Sequence, residues 1–371
     1  MTNEQTQYSI EQGIELCLAK NIVFAAYRLP ASADVHLIIH KEEQPLVYTD
    51  TSKIFSKEGF VVHPFNQHDM SVNFIRADYQ FRNKIEKSAF GLLKKLKINS
   101  YESATEKPIP ADQKAFIQLI DKVKDTCSNG EPLKKIVMSR VITREGDFLN
   151  QVPEIFRKLC DKYAHAFVFV FNIGNQIWIG ASPEPFLISK DGTIHTTSVA
   201  GTRAYTEENM NASWNKKEIE EQAIVTDYIT QVLEKFQVSK YKLEGPYTKK
   251  AGNVIHLRTD IQFYNQLDTT KLGDFISELH PTPAVCGYNK QNAFDFILTH
   301  EKHNREYYSG FLGPVKSLKD FSLFVNLRSM KVLADMLVLY VGGGITSGSV
   351  SMDEWNEMEM KAETLLSVLT K

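Results

Sequence analysis

Apolar positions along the chain fall into two rhythms that come in blocks. Residues 10–19 carry them at helical spacing, whereas short apolar runs at 22–27 and 35–39 read as strands. A mixed, lysine-rich stretch over 84–107 leads to Pro108-Ile109-Pro110, which marks a boundary. Beyond it the spacing predicts helices over 111–127 and 152–163 and a strand over 135–143. Closely spaced strands follow at 166–173, 176–179, 185–189 and 194–199, with Gly or Asn turns between them. A long helix over 214–236, a strand over 253–263 and helices over 272–279 and 289–302 come next. Strands over 321–329 and 331–341 and a final helix over 352–369 end the pattern. Meandering strands with short turns, and helices in separate blocks, predict an α+β fold with large antiparallel sheets flanked by helices. The boundary at Pro108-Ile109-Pro110 sets residues 1–107 apart from a larger part over 108–371.

At 371 residues the chain can bury a sizeable core, and 43 basic against 45 acidic side chains give a net charge of −2. No region has the basic, aromatic-interleaved character of a nucleic-acid surface. The polar start, Met1-Thr2-Asn3-Glu4-Gln5, has no apolar core of signal-peptide type. Apolar runs such as 166–171 and 336–341 are far too short to span a bilayer as helices. Cys17, Cys127, Cys160 and Cys286 are scattered without metal-type spacing and read as free thiols in a reducing compartment. The expectation is a cytoplasmic protein with neither a nucleic-acid nor a membrane partner.

Two acidic clusters stand out. In the last helix Glu354, Glu357 and Lys361 lie at i, i+3 and i+7, on a stripe that continues into Leu365, so charges sit on the face that packs inward. In the long helix Glu218 and Glu221 lead into Val225, Tyr228 and Val232 in the same way. Each cluster has an ordinary explanation: Ser351 with Glu354 fits a capping box, and acidic residues favour helix starts. The functional explanation is a hard cation, since carboxylates at two helix starts suit Mg²⁺, held partly by substrate oxygens and water, rather than Zn²⁺.

Other polar residues sit in apolar surroundings. Lys135 opens an apolar strand on the same side as Val137, and either snorkels to the edge or has its pKa lowered for use as a base. Glu184, between Pro183 and Pro185, is held by rigid backbone and suits a general acid or a solvated turn. Arg328 sits inside an otherwise apolar strand, and a mid-strand arginine calls for a partner, a substrate carboxylate being one option. His256 reads as a core histidine or a site residue. Gly201-Thr202-Arg203 and Gly342-Gly343-Gly344 leave backbone N–H groups free to approach an anion. The latter triplet makes no GxGxxG pattern, which argues against a dinucleotide site.

Taken together, the motifs Lys-Ile-Val-Met-Ser-Arg (135–140), Gly-Ala-Ser-Pro-Glu (180–184), Ala-Gly-Thr-Arg (200–203), Asn-Val-Ile-His-Leu (253–257), Leu-His-Pro-Thr-Pro-Ala-Val (279–285), Leu-Arg-Ser (327–329) and Glu-Trp-Asn-Glu (354–357) with Lys361 resemble one family. It is that of the chorismate-utilising isochorismate, salicylate and anthranilate synthases. The resemblance runs from about residue 134 to the C-terminus, and the first hundred residues carry no such motif. It implies the anthranilate synthase component I-like fold, with 1–107 as a variable N-terminal part packed on the same core and 108–371 as the chorismate-binding catalytic domain.

By the same resemblance Glu221 and Glu357 match positions that hold Mg²⁺ over the ring carboxylate, with Glu218 and Glu354 holding metal-bound water. Lys135 matches the base that activates water, and Glu184 the acid that protonates the departing 4-hydroxyl. Arg328, Lys361, Tyr340 and the backbone of Gly342, Gly343 and Gly344 match the enolpyruvyl-carboxylate pocket. Gly201, with Thr202 beside it, His256 and Ala284 match positions next to the ring. The ammonia-using relatives carry Gln where this chain has Lys135. The aminodeoxychorismate synthases carry a nucleophilic Lys at the position of Ala200. What remains is Mg²⁺-dependent formation of isochorismate, for menaquinone rather than a siderophore, by a monomer without a glutaminase subunit. The alternatives are isochorismate supply to a siderophore pathway and a salicylate synthase that goes on to eliminate pyruvate. Cys286 and Gly343 depart from the usual Gly and Ala, close to the pocket. A catalytically dead binding subunit and an unrelated Mg²⁺ enzyme acting on phosphates are further alternatives; the latter needs a basic, Gly-rich loop at a helix start, which the sequence lacks.

Overall fold

The computed structural model describes residues 7–99, 107–128, 133–251 and 254–369, without the side chains of Thr202, Lys217 and Ala251. The expected boundary at Pro108-Ile109-Pro110 is irregular chain, and 100–106 and Asn253 lie outside the described residues. The first part contains β1 (Gln7–Ser9), α1 (Ile10–Ala19), β2 (Phe24–Arg28), β3 (Val35–Ile39), β4 (Leu46–Tyr48), β5 (Gly59–His63), β6 (Val72–Arg76), β7 (Tyr79–Arg82), β8 (Lys84–Glu86) and α2 (Lys87–Leu93). Next come α3 (Gln113–Ser128), β9 (Lys135–Glu145), α4 (Val152–Lys162), β10 (Phe167–Asn172), β11 (Ile177–Ser182), β12 (Pro185–Lys190), β13 (Thr193–Ala204), α5 (Glu207–Asn211) and α6 (Lys216–Lys235). The rest is β14 (Tyr241–Ala251), β15 (Val254–Tyr264), α7 (Thr269–Leu279), α8 (Lys290–His300), β16 (Phe311–Ser317), β17 (Asp320–Val325), β18 (Ser329–Val332), β19 (Met336–Thr346) and α9 (Ser351–Leu366).

The described strands build two antiparallel sheets. One has ten strands in the order β1-β8-β7-β3-β2-β10-β11-β18-β19-β9; the other has nine, β14-β15-β13-β12-β17-β16-β5-β6-β4. They pack face to face, and each carries helices on its outer face. Strand β10 shows why. Phe167, Phe169 and Phe171 point between the sheets, where they meet Phe60, Trp178, Phe324 and Tyr340. Val168 and Val170 point outward into the cluster formed with Ile14 of α1 and Phe156 of α4. A strand buried on both faces has no polar alternation to keep. The second sheet buries its outer face under Val225 and Ile229 of α6 and Phe275 and Ile276 of α7. Helices α3, α8 and α9 cover the β9–β19 edge through Ile120, Ile297 and Met358. The fold is thus the expected α+β architecture.

Two expected strands are divided differently. The run over 321–329 is not one strand: β17 ends at Val325, and Arg328, with φ +49°, turns the chain into β18 of the other sheet. Arg328 is therefore a hinge residue between sheets, not a mid-strand one. The stretch over 331–341 breaks between β18 and β19, which pair as a hairpin.

Candidate active site

The chain crosses between sheets twice at one place, and these crossings carry two of the singled-out residues. Pro183 and Glu184 join β11 to β12, and Asn326, Leu327 and Arg328 join β17 to β18. The crossings are stitched side by side: Val325 N donates to Glu184 O at 3.0 Å, Ala181 N to Arg328 O at 3.0 Å, and Ser182 Oγ to Val325 O at 2.6 Å. Beside them lies a cavity of about 260 Å³. Lys135, Glu184, Gly201, Glu218, Glu221, His256, Ala284, Arg328, Tyr340, the Gly342–Gly344 backbone, Glu354, Glu357 and Lys361 all line it. The Thr202 side chain lies outside the description, but Thr202 is in β13 opposite His256, next to the bulge at Gly201.

Lys135 is the first residue of β9, opposite Thr346, and is only 4 % exposed. Burial lowers its pKa; Glu221, Glu184 and Glu354 pull it back up, while Lys361 lowers it further. Burial raises Glu184 to about 7 against the pull of Lys135, Lys361, Arg258 and Arg328. Both groups are thereby driven toward their neutral forms. His256 is also held neutral: burial takes it down to about 4, and its Nδ1 lies 2.9 Å from Gly201 O.

The glycine triplet gives space to side chains. A Cβ on Gly344 would meet Lys135 Cε at 2.7 Å, one on Gly342 the Tyr308 hydroxyl at 2.9 Å, and one on Gly343 Met358 Cε at 3.0 Å and a Glu354 carboxylate oxygen at 3.6 Å. Gly201 has φ +67° and approaches Trp214, so its position suits glycine on both counts. Lys361 donates to Gly342 O at 3.0 Å and pairs with Glu357 at 2.6 Å, and Arg328 Nη1 donates to Lys361 O at 2.8 Å. Burial works against Glu357's charge, but Lys361 prevails and its pKa ends below the ordinary value. Tyr340 stacks on Trp178 and Tyr308 at 5.1 and 5.4 Å.

The carboxylates differ from one another. Glu218 closes a capping box with Asn215 at the start of α6 and pairs with Arg203 through both oxygens. The capping box expected at Ser351 is absent: Val350 holds the N-cap position without a side-chain bond, and Ser351 Oγ donates to Asp121 instead. Glu354, 7 % exposed, is thus left to the cavity wall rather than to its own helix end. Among the described residues no three His, Cys, Asp or Glu side chains converge closely enough to enclose a metal on protein ligands alone. Hard oxygen donors facing a cavity still suit Mg²⁺, which takes one or two carboxylates and fills its shell with water and ligand oxygens.

Sequence reasoning missed several lining residues. Tyr308 and Ser309 sit on irregular chain before β16, and Asn215 caps α6. Lys249 and Arg258 lie on β14 and β15. Arg258 was legible in principle, being two residues from His256 on one strand and so on the same face. Beneath the site, Arg305 clamps two of its walls, donating to Val137 O at 2.7 Å and Val285 O at 2.9 Å. Glu301 holds Arg305 at 2.6 Å and accepts from Ser139 N at 2.6 Å.

The sequence profile described as "chorismate binding enzyme" matches residues 61–370. The chain belongs to the chorismate-binding enzyme family. The match begins at residue 61, well inside the part that shows no motif by eye. Isochorismate synthase DhbC of Bacillus subtilis is 29% identical over 252 residues, 64% of this chain and 63% of that protein. Isochorismate synthase MenF of Escherichia coli is 28% identical over 271 residues, 70% of this chain and 61% of that protein. The solved structure of the latter, the menaquinone-specific enzyme, superposes with a TM-score of 0.77 at 20% identity, over 96% of this chain and 91% of that one. The matched region spans less than two thirds of the length of these curated relatives. No described helix is long and apolar enough to cross a membrane.

Proposed function

We propose that the chain is an isochorismate synthase, an isomerase that converts chorismate to isochorismate. One observation carries this reading: buried Lys135 and half-buried Glu184 line one cavity with pKa values moved toward each other. A neutral amine accepts a proton and a neutral carboxyl donates one, which is the pairing that exchange of water for hydroxide demands. Lys135 takes a proton from water as its oxygen bonds to C2. The ring double bonds shift, the C4–O bond breaks, and Glu184 delivers its proton to the departing oxygen, which leaves as water.

Arg328, Lys361, Tyr340 and the backbone of Gly342–Gly344 would receive the enolpyruvyl carboxylate, and Gly201, Thr202, His256 and Ala284 would border the ring. Glu221 and Glu357, with Glu218 and Glu354 behind them, would hold Mg²⁺, which when bound supplies charge neutralisation at the ring carboxylate. Arg203 already engages Glu218 and Lys361 already engages Glu357, so these two would act with their charge partly compensated. Alignment of water, ring and acid is the main contribution of the protein groups.

Incubation with chorismate and Mg²⁺, reading isochorismate, salicylate, pyruvate and anthranilate by chromatography, tests the reading; salicylate with pyruvate would overturn it in favour of a salicylate synthase. Lys135→Gln and Glu184→Gln should each abolish conversion while chorismate binding, measured by calorimetry, persists. Near-normal turnover in either removes the assignment. We further propose that the enzyme works as a monomer without a glutaminase subunit and serves menaquinone formation. Disruption of its gene should then produce menaquinone deficiency with siderophore output intact.

A further inference from the structure

The substrate cavity has a neighbour. On the same sheet, a second recess of about 130 Å³ runs along β13, β15 and β14, and Arg258 lines both spaces. Pro185, which follows Glu184 in the chain, and Thr197, 9 % exposed, lie with Arg258 at the end shared with the larger cavity. Lys242 and Glu244, with side chains 72 % and 68 % exposed, form the mouth. Strand register accounts for the line-up: Thr197 and Glu244 both stand opposite Asp260, and Lys242 opposite Gln262.

One polar group in this recess awaits a partner. Thr197 Oγ1 is buried with no hydrogen bond among the described residues. Arg258 is fixed by Asp260, which accepts from Nε at 2.9 Å and Nη2 at 2.5 Å and also takes the Tyr247 hydroxyl. Buried hydroxyls are nearly always satisfied, and water is the usual means where protein offers none. The volume suits several waters, at about 30 Å³ each in the liquid.

We propose that this recess is a water conduit of the active site, through which the water released at C4 passes Arg258, is handed along Thr197 and reaches solvent between Lys242 and Glu244. The proposal rests on the isochorismate-forming reading. In that reaction one water is consumed at C2 and one is formed at C4, where the Glu184 proton joins the departing oxygen. Glu184 lines the larger cavity, Pro185 the recess and Arg258 both, so water released at Glu184 is formed in the cavity that Arg258 borders. A bound substrate fills the larger cavity, and the recess offers that water a way out without displacing it.

Chorismate labelled with ¹⁸O in its 4-hydroxyl tests this in ordinary water. Wild-type enzyme should give isochorismate whose C2 oxygen comes from the bulk. Thr197→Met, which plugs the recess, should lower kcat several-fold at unchanged KM and raise the share of product that carries ¹⁸O at C2, because labelled water trapped from one turnover adds to the next ring. Thr197→Ser, which keeps the hydroxyl, should match the wild type. Ile188→Phe narrows the same recess from β12 and gives a second, independent plug should Thr197→Met fold poorly. Plugged enzyme with wild-type kcat, or slowed enzyme without retained label, overturns the conduit. Absence of isochorismate from the wild type sinks the reaction instead.

Discussion

Burial acts on Lys135 and Glu184 in opposite senses because their charged forms have opposite sign, and the proposed chemistry uses both results. Glu184 must carry a proton to serve as an acid; with its pKa at about 7, that proton is present below neutrality and lost above it. The kcat/KM profile should therefore fall as pH rises through about 7. Arg258 is among the cations that draw the proton off Glu184, so Arg258→Met should move the alkaline limb to higher pH. A limb that stays in place or moves the other way would count against Glu184 as the acid. Gly344 offers a steric test. Because an added methyl would lie 2.7 Å from Lys135 Cε, Gly344→Ala should cost activity at least tenfold, about 1.4 kcal/mol in the barrier. Its melting temperature should change little, since a flexible stem gives way; a fully active Gly344→Ala would show that the lysine stem needs no fixed place.

At the scale of elements, the buried ion pair beneath the site ties β9 to the chain around Val285. Glu301 and Arg305 side chains are each 2 % exposed. Removing one partner strands the other charge, a loss of about 3–5 kcal/mol. Glu301→Ala should show it in urea unfolding, whereas a loss within 1 kcal/mol of zero would mean that water replaces the carboxylate. Elements also show where sequence reading succeeds. The 10–19 helix and the 35–39 strand were legible because their apolar spacing is local information, and they appear as α1 and β3. Strand β14 was missed: Lys242, Glu244, Lys249 and Lys250, with Gly245 and Pro246, give an edge strand the composition of a loop. The turn at Arg328 left no trace because a non-glycine residue adopts φ +49° there, in the middle of an apolar run. The carboxylate helix faces were legible from spacing, but which acid would cap its own helix was not. That choice fell to Asn215 and Glu218, while Ser351 turned to Asp121.

Over the whole molecule, the N-terminal third is built into both sheets. Strand β2 pairs with β10 in the middle of one, and β5 pairs with β16 within the other. Strands from both sides of residue 107 therefore make up each sheet. A fragment comprising 108–371 should fail to give a cooperative unfolding transition, because Phe169 and Phe324 would lose the β2 and β5 side chains that cover them. A soluble, cooperatively folded fragment would show that the later strands suffice.

The wall formed by Gly342, Gly343 and Gly344 presents main chain, not side chain, to whatever occupies the cavity. An inhibitor spread across that backbone would leave few routes to resistance. Any replacement there adds bulk, and the bulk strikes Tyr308, Met358 or the Lys135 stem before it can repel the drug.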